Sequence, residues 1–334
     1  MRQSSGKPKR KFSAAVFFAL SARNLLNCMP DQLYLSALWL AYFHKKLDWK
    51  NPKSFNEKIQ WLKVKNHDPL YPTLVDKFAV RNWIASKIGE QYLIPLVGGP
   101  WNSFDEIDFG ALPEQFALKC THDSGNVVIC HDKRTFDFAA AKEKIENSLK
   151  RNYYWSGREW PYQFVQPRII AEQYMESASS GELLDYKFLM FGGELRCAFV
   201  CSNRFGQGRM NMTFFDSDWN RLPFERIYPA APQEVPRPER YEEMVHLAER
   251  LSEGMPLVRV DLYEIDHKVY FGEMTLYPGS GLETFQPEEW DYKLGEWIDL
   301  KRFFPNEFHS NEKKSPAGVS LECKRCYRMG SIRM

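Results

Sequence analysis

Val258-Arg-Val-Asp-Leu-Tyr263, followed by Val269-Tyr-Phe-Gly-Glu-Met-Thr-Leu-Tyr-Pro-Gly-Ser-Gly281, is the stretch on which the fold turns. Both halves are rich in β-branched and aromatic residues, and Glu264-Ile-Asp-His-Lys268 between them carries turn chemistry. The pattern predicts two strands, over 258–263 and 269–275, paired as an antiparallel hairpin. Charges interrupt these strands. Side chains repeat every second residue, so Arg259 and Asp261 share one face, as do Glu273 and Thr275. Pairing about Asp266 allows the two faces to be the same one, which brings together a cation, two carboxylates and a hydroxyl. Charges within apolar strands are costly unless they meet one another or a ligand. Two carboxylates suit Mg²⁺, which binds few protein oxygens and takes the rest from water and phosphate. Arg259 could brace charge on a transferring group. The same spacing fits an internal Arg–Asp/Glu cluster on a solvated sheet face equally well.

Outward from the hairpin, helices and antiparallel pairs follow one another in blocks. Ser54-Phe-Asn-Glu57 is a capping box that starts a helix running to about 65. Residues 73–87 read as a second amphipathic helix stopped by Gly89. Strands are expected over 116–119 and 127–130, around the turn His122-Asp-Ser-Gly-Asn126, and over 168–175. Residues 138–151 and 241–252 are helical by periodicity. Strands 184–191 and 195–201 flank Gly192-Gly193, a hairpin signal. This arrangement argues α+β and not a doubly wound parallel sheet.

Other chemistry-bearing residues lie in these elements. Lys119 leaves a strand beside a small-residue turn whose backbone N–H groups can hold phosphate, although the local sequence fits an exposed lysine before an ordinary hairpin better. Glu172 ends an apolar strand, and Asp185 and Lys187 point to the same side of another. Asp216-Ser-Asp218 has the form of a glycosyltransferase metal site, but Trp219-Asn220 follow, and the segment reads as a tight turn. The sequence contains no G-x-x-x-x-G-K-[ST], G-x-G-x-x-G, H-E-x-x-H or G-x-S-x-G.

Composition narrows the class. The chain has 334 residues, enough for two or three lobes. With 45 Lys+Arg against 43 Asp+Glu the net charge is +2, which argues against a dedicated nucleic-acid binder. No apolar run is long enough to span a bilayer. Seven cysteines are too dilute for a disulfide scaffold. The first twelve residues carry Arg2, Lys7, Lys9, Arg10 and Lys11 and no acid, and an apolar stretch over 14–22 follows. That stretch reads as a helix packed on the body by one face. A signal peptide and a surface-lying amphipathic anchor, with peripheral membrane association through the N-terminus, are the other readings. Cys323-Lys-Arg-Cys326, in the basic C-terminal stretch, supplies only two of the four ligands that structural zinc takes, and the tail is expected to be mobile.

Taken in order, several strings together resemble one family. They are Asn51-Pro-Lys-Ser-Phe-Asn-Glu-Lys-Ile-Gln-Trp-Leu62, Leu74-Val-Asp-Lys77 with Arg81, Leu118-Lys119 with His122-Asp-Ser-Gly125, Ile169-Ile-Ala-Glu172, Asp185-Tyr-Lys-Phe188, the 258–263 string, and Gly272-Glu273 with Tyr277-Pro-Gly-Ser-Gly281. The set is similar to the teichuronopeptide-biosynthesis (TupA-like) branch of the ATP-grasp superfamily and covers roughly 30–300. The resemblance implies an ATP-grasp fold, in which two α+β lobes clasp the nucleotide. It implies an N-terminal extension over 1–50, a helical region over 51–115, a small lobe over 116–170, a large lobe with the metal site over 171–300, and a basic tail over 301–334.

For the site, the resemblance makes Lys77 and Lys119 the phosphate-contacting lysines, with Ser124 and Gly125 in the loop over the phosphates. Glu172 and the backbone after it become the hinge that reads adenine, and Asp185 the ribose-binding acid. Arg259, with Lys187 on the same cleft, steadies an acylphosphate; Asp261, Glu273 and Thr275 hold magnesium. Thr275 departs from the Asn common at that position, and the phosphate loop is less glycine-rich than usual. The implied activity is an ATP- and Mg²⁺-dependent carboxylate–amine ligase acting on a small molecule or polysaccharide precursor of the bacterial surface, in the cytoplasm or at the inner face of the membrane. A glycosyltransferase using Asp216-Ser-Asp218, a kinase acting on a hydroxyl, and a non-catalytic binding protein of the same fold are the alternatives.

Overall fold

The computed structural model describes residues 16–17, 19–20, 25–176, 184–203 and 210–309. Cys323 and Cys326, and the tail from residue 310 on, lie outside the described residues, whereas the first residues of the tail expected over 301–334 are helical. Residues up to Asp299 belong to one compact unit; a second begins at Leu300, with short helices at Leu300–Phe303 and Pro305–His309.

Helix α1 (Asp31–Phe43) starts directly after Pro30 and buries Tyr34, Leu35 and Leu38 against Phe17, Leu26 and Met29. Phe17 meets Tyr34 edge-on at 5.1 Å, so one face of the N-terminal stretch packs on the body, as its pattern predicts. Val16, Leu20, Leu25, Leu33 and Leu40 are exposed. No helix among the described residues is long and apolar enough to cross a membrane. Helix α2 (Phe55–Lys65) begins with the expected capping box: Glu57 N donates to Ser54 Oγ at 3.2 Å, and Ser54 N donates to Glu57 Oε2 at 3.1 Å.

The helix expected over 73–87 is instead two, α3 (Tyr71–Val75) and α4 (Val80–Ile88). The break has a local cause. Asp76 Oδ1 accepts from Phe78 N at 2.8 Å and Ala79 N at 3.1 Å, which closes a turn ahead of α4. Lys77 N donates to Thr121 O at 3.0 Å, outside any helix. Periodicity saw the shared buried face of Leu74 and Ile84 and missed the turn between them.

The small lobe is an antiparallel sheet ordered β1-β4-β2-β3, formed by β1 (Leu96–Trp101), β2 (Phe116–Cys120), β3 (Val127–Cys130) and β4 (Ile169–Gln173). Helix α5 (Phe138–Leu149) covers it, and Phe116, Leu118, Ile145 and Ile169 share its core. Strand β1 comes from the segment expected to be helical; Gly98-Gly-Pro100 hid it from a reading by propensity.

The large lobe is a second antiparallel sheet, ordered β10-β9-β5-β6-β7, in which β5 is Asp185–Phe191, β6 Glu194–Ser202, β7 Asn211–Phe215, β9 Leu257–Ile265 and β10 Lys268–Thr275. Between β7 and β9 lie β8 (Glu225–Arg226), which pairs with β11 (Phe285–Gln286), and α6 (Tyr241–Ser252), which packs Met244, Leu247 and Leu251 on the sheet. Gly192 and Gly193, with φ 61° and 92°, close the β5–β6 hairpin as its sequence predicts. The β9–β10 turn is tighter than expected. Only Asp266 and His267 form it, with φ 48° and 62°, so the ladder extends to Ile265 and Lys268.

Candidate functional site

A cavity of about 450 Å³ separates the two sheets. Lys77, Lys119, Ser124, Gly125 and Glu172 line it from the small-lobe side, and Asp185, Lys187, Arg259, Asp261 and Glu273 from the large lobe. Thr275 is the one candidate outside that lining. A shallower groove of about 970 Å³ passes Glu114, His131 and Tyr174 and contains none of the candidates.

Register explains why the large-lobe residues converge. Glu273 pairs directly with Asp261, Asp261 with Lys187, Lys187 with Phe199, and Phe199 with Phe214. These five residues form one row across β10, β9, β5, β6 and β7. Directly opposed residues are about 5 Å apart, so the charged half of the row is a contiguous array. The alignment of Glu273 with Asp261 needs a bulge: Phe271 pairs with Leu262, and Gly272 is the extra residue before Glu273. A Cβ on Gly272 would lie 2.8 Å from the Tyr263 ring and 3.1 Å from Asp261 O, so a larger residue would displace this corner.

Asp261 is the hub. Arg259 Nε donates to Asp261 Oδ1 at 2.6 Å and Arg259 Nη2 to Oδ2 at 2.7 Å, a bidentate pair. Lys187 Nζ donates to the same Oδ2 and lies 2.7 Å from Asp185 Oδ2. Burial alone would raise the Asp261 carboxyl; Arg259 and Lys187 outweigh it and hold the group below the ordinary carboxylate range. Burial disfavours the Arg259 charge, but Asp261 more than compensates and raises its pKa. Glu273 sits between cations, with Oε1 3.8 Å from Lys77 Nζ and Oε2 4.0 Å from Arg259 Nη2. Three cations (Lys77, Lys187, Arg259) thus face three carboxylates (Asp185, Asp261, Glu273), and the cluster is neutral.

On the small-lobe side, Lys119 and Glu172 are diagonal neighbours on β2 and β4, and Lys119 Nζ donates to Glu172 Oε2. Arg81 Nη1 donates to Glu172 Oε1 at 3.1 Å, and Arg81 Nη2 to Ile94 O at 2.7 Å. Lys77 Nζ donates to Asp123 O, at the base of the 122–126 loop. That base is tied down. The buried His122 places Nε2 3.1 Å from Ser148 O and 3.0 Å from Arg151 O, so Nε2 carries the proton. Asp123 Oδ2 accepts from Ser148 Oγ and from Asn126 Nδ2, the latter at 2.7 Å. The tip, Ser124-Gly125, is exposed, with Gly125 at φ 84°.

Beyond Glu273 the chain passes Thr275, which pairs with Arg259 one row further along and whose buried Oγ1 has no hydrogen-bond partner among the described residues. It then reaches the Pro278–Gly281 turn. Lys63, fully buried, donates at 2.8 Å to both Ser280 O and Ser280 Oγ, which fixes this turn. Burial lowers the Lys63 pKa to about 8 against the opposing pull of Glu159; burial likewise raises the Glu159 carboxyl.

Asp216-Ser-Asp218 forms an exposed turn. Asp216 Oδ1 accepts from Asp218 N at 3.0 Å and Asn220 N at 2.8 Å. It follows β7, three strands from β9 and so about 14 Å from Asp261. The turn reading of the sequence holds. The sequence reading did not give roles to Arg81, Arg226 or Glu283, which also line the cleft. Arg81 stood within a string already singled out; nothing local marks Arg226 or Glu283.

The model of the TupA-like ATPgrasp family matches residues 57–299. Among solved structures, the D-alanine–D-alanine ligase from Bacillus anthracis complexed with ATP is 13% identical, with a TM-score of 0.38 over 72% of this chain and 69% of that one. The L-amino acid ligase from Bacillus licheniformis is 14% identical, with a TM-score of 0.43 over 77% of this chain and 58% of that one. No curated protein matches the chain in sequence.

Proposed function

The chain belongs to the TupA-like ATP-grasp family, and on that premise we propose that it is an ATP- and Mg²⁺-dependent carboxylate–amine ligase. The observation that carries the proposal is the row Glu273–Asp261–Lys187 with Arg259 beside it, facing Lys77 and Lys119 across one cleft. Phosphoryl transfer asks little covalent chemistry of a protein; it asks for cations and metal positioned around the phosphates. The donor set suits magnesium. Two carboxylates stand directly opposite one another, and the orphaned Thr275 Oγ1 lies one row away. Asp261 and Glu273 would hold the ion, and magnesium bound there supplies charge neutralisation on the phosphates.

The residues divide the work. Lys119 and Lys77 draw the triphosphate to the small-lobe side, with Ser124-Gly125 closing over it. Arg259 and Lys187 stabilise charge that develops as a substrate carboxylate oxygen attacks the γ-phosphorus and the bond to ADP breaks. An amine nitrogen then attacks the acyl carbon of the mixed anhydride, inorganic phosphate leaves, and the ammonium proton passes to solvent. Glu172, braced by Arg81, sets the edge of the nucleotide site. The setting we infer is synthesis or decoration of a bacterial surface polysaccharide, in line with the string-by-string resemblance to the teichuronopeptide branch.

The test is ADP release with defined co-substrates. A ligase needs both a carboxylate and an amine; a kinase releases ADP with a hydroxyl acceptor alone; a non-catalytic protein binds ATP and releases none. Mass spectrometry of the surface polysaccharide from cells lacking the protein tests the setting, through loss of an amide-linked substituent.

A further inference from the structure

Arg226 is a buried cation in the cleft to which the ligase chemistry assigns no task. It lines the cavity, yet is only 2% exposed. Its guanidinium carbon sits 4.8 Å from the Phe199 ring centroid and 5.4 Å from that of Phe214. Those two rings are the far end of the row that starts at Glu273 and Asp261. Arg226 therefore extends the charged array beyond Lys187, on the same face of the sheet. Phe199 is two strands from Asp261, so the guanidinium stands on the order of 10 Å from the Arg259–Asp261 pair.

Two of its three nitrogens make no hydrogen bond among the described residues. Nε lies 2.7 Å from Glu283 Oε2, but the pair is not aligned for a hydrogen bond, and Nη1 has no partner among the described residues. A guanidinium carries five donors, and leaving any of them idle while buried is costly. The chain also accepts backbone strain beside it. Ile227, a β-branched residue, takes φ 61°, and Tyr228 N folds back to Arg226 O at 2.6 Å. The two-residue pairing of β8 with β11 sets Arg226 opposite Phe285, two residues beyond Glu283.

We propose that Arg226 binds an anionic group, a carboxylate or a phosphate ester, on the substrate that shares the cleft with the nucleotide. This rests on the ligase reading, which places the nucleotide at the Lys77–Lys119 end. The anion is not the carboxylate that reacts, because Arg259 serves that position two strands away. The substrate class is a small acid, of about the length of one sugar ring or a dipeptide, with a negative charge at the end remote from the reacting carbon. Phe199 and Met212 offer its middle an apolar wall. The stacked, forked guanidinium suits planar anions better than a lysine would.

Isothermal titration tests this on the full chain saturated with Mg²⁺ and AMPPNP. The probes are D-glucuronate, L-glutamate and D-glucose 6-phosphate, with D-glucose as the neutral control. At least one anion should bind and glucose should not; which anions bind separates carboxylate from phosphate. Arg226→Met should lower that affinity tenfold or more. Glu283→Gln removes the competing carboxylate and should raise it about threefold or more. AMPPNP affinity should stay within twofold in both variants. Should Arg226→Met not fold, Glu283→Gln and Arg226→Lys, the latter weakening planar anions, carry the test. No anion bound to the wild type, affinities unmoved by these substitutions, or a loss of AMPPNP affinity that reassigns Arg226 to the nucleotide would each overturn the proposal. AMPPNP failing to bind the wild type would strike the ligase reading alone; the same anion titrations without nucleotide would still read Arg226.

Discussion

Lys119 is where charge chemistry and surface chemistry are most easily told apart. Its ammonium is shared with Glu172 and faces the cleft. Lys119→Met keeps the stem and deletes the charge. ATP affinity should then fall about tenfold or more, since a hydrogen bond to a charged group contributes roughly 1.5–3 kcal/mol. Adenosine affinity should hold, and calorimetric titration of both ligands separates the outcomes; equal ATP affinities would remove Lys119 from the phosphate site. Asp261 makes a prediction in pH. Its folded pKa is depressed by Arg259 and Lys187. Its stabilising contribution is present above the ordinary aspartate value near 3.9 and lost as pH falls through the lower folded value. Urea unfolding between pH 5 and pH 3 should show a loss of stability that is smaller in Asp261→Asn. An unchanged slope in that variant would mean that other carboxylates carry the acid limb.

The elements of the fold serve to place such residues. The gap between α3 and α4 is a turn closed by the Asp76 side chain, and it puts Lys77 between the 122–126 loop and Glu273. The Pro278–Gly281 turn is held from below by Lys63 of α2, with Glu159 as the opposing charge. The Lys63 ammonium satisfies two oxygens of Ser280, and a hydrogen bond to a charged group contributes roughly 1.5–3 kcal/mol. Lys63→Met should lose about that much stability, and Lys63→Met with Glu159→Gln should recover part of it by removing the carboxylate that the ammonium balanced, both read by urea denaturation. Full destabilisation in the double variant would show that Lys63 acts through the Ser280 hydrogen bonds alone. The capping box, the two hairpins and α6 were legible because each is specified by neighbours in sequence. Strand β1 was not, because an irregular ladder is decided by partners on β4; the α3–α4 break has a local signal in Asp76 that a reading by apolar periodicity passes over.

At the scale of the whole molecule, a ligand that binds only the folded cleft stabilises the protein by mass action. At one hundred times its dissociation constant the gain is about 2.7 kcal/mol. Mg-ATP should therefore raise the melting temperature by several degrees, and a nucleotide sugar should not. Asp218→Ala should leave the shift intact, because its turn lies at the other edge of the large sheet. A shift produced by a nucleotide sugar and abolished by Asp218→Ala would restore the glycosyltransferase reading.

The sequence by itself determined the α+β class, the hairpins and the pairing of Arg259 with Asp261 on one face and of Glu273 with Thr275 on one face, because strand parity is a property of neighbouring residues; that the two faces coincide was decided by the turn and the Gly272 bulge. It placed Lys119, Glu172, Asp185 and Lys187 on their strands by the same rule. Only the tertiary structure decided that these strands align Glu273, Asp261, Lys187, Phe199 and Phe214 in one row. Register between β5, β6, β7 and β9 depends on pairings across long stretches of chain, and on the Gly272 bulge. It alone brought Arg226 over that row, since a two-residue strand and a turn with a strained Ile227 carry no periodic signal to read.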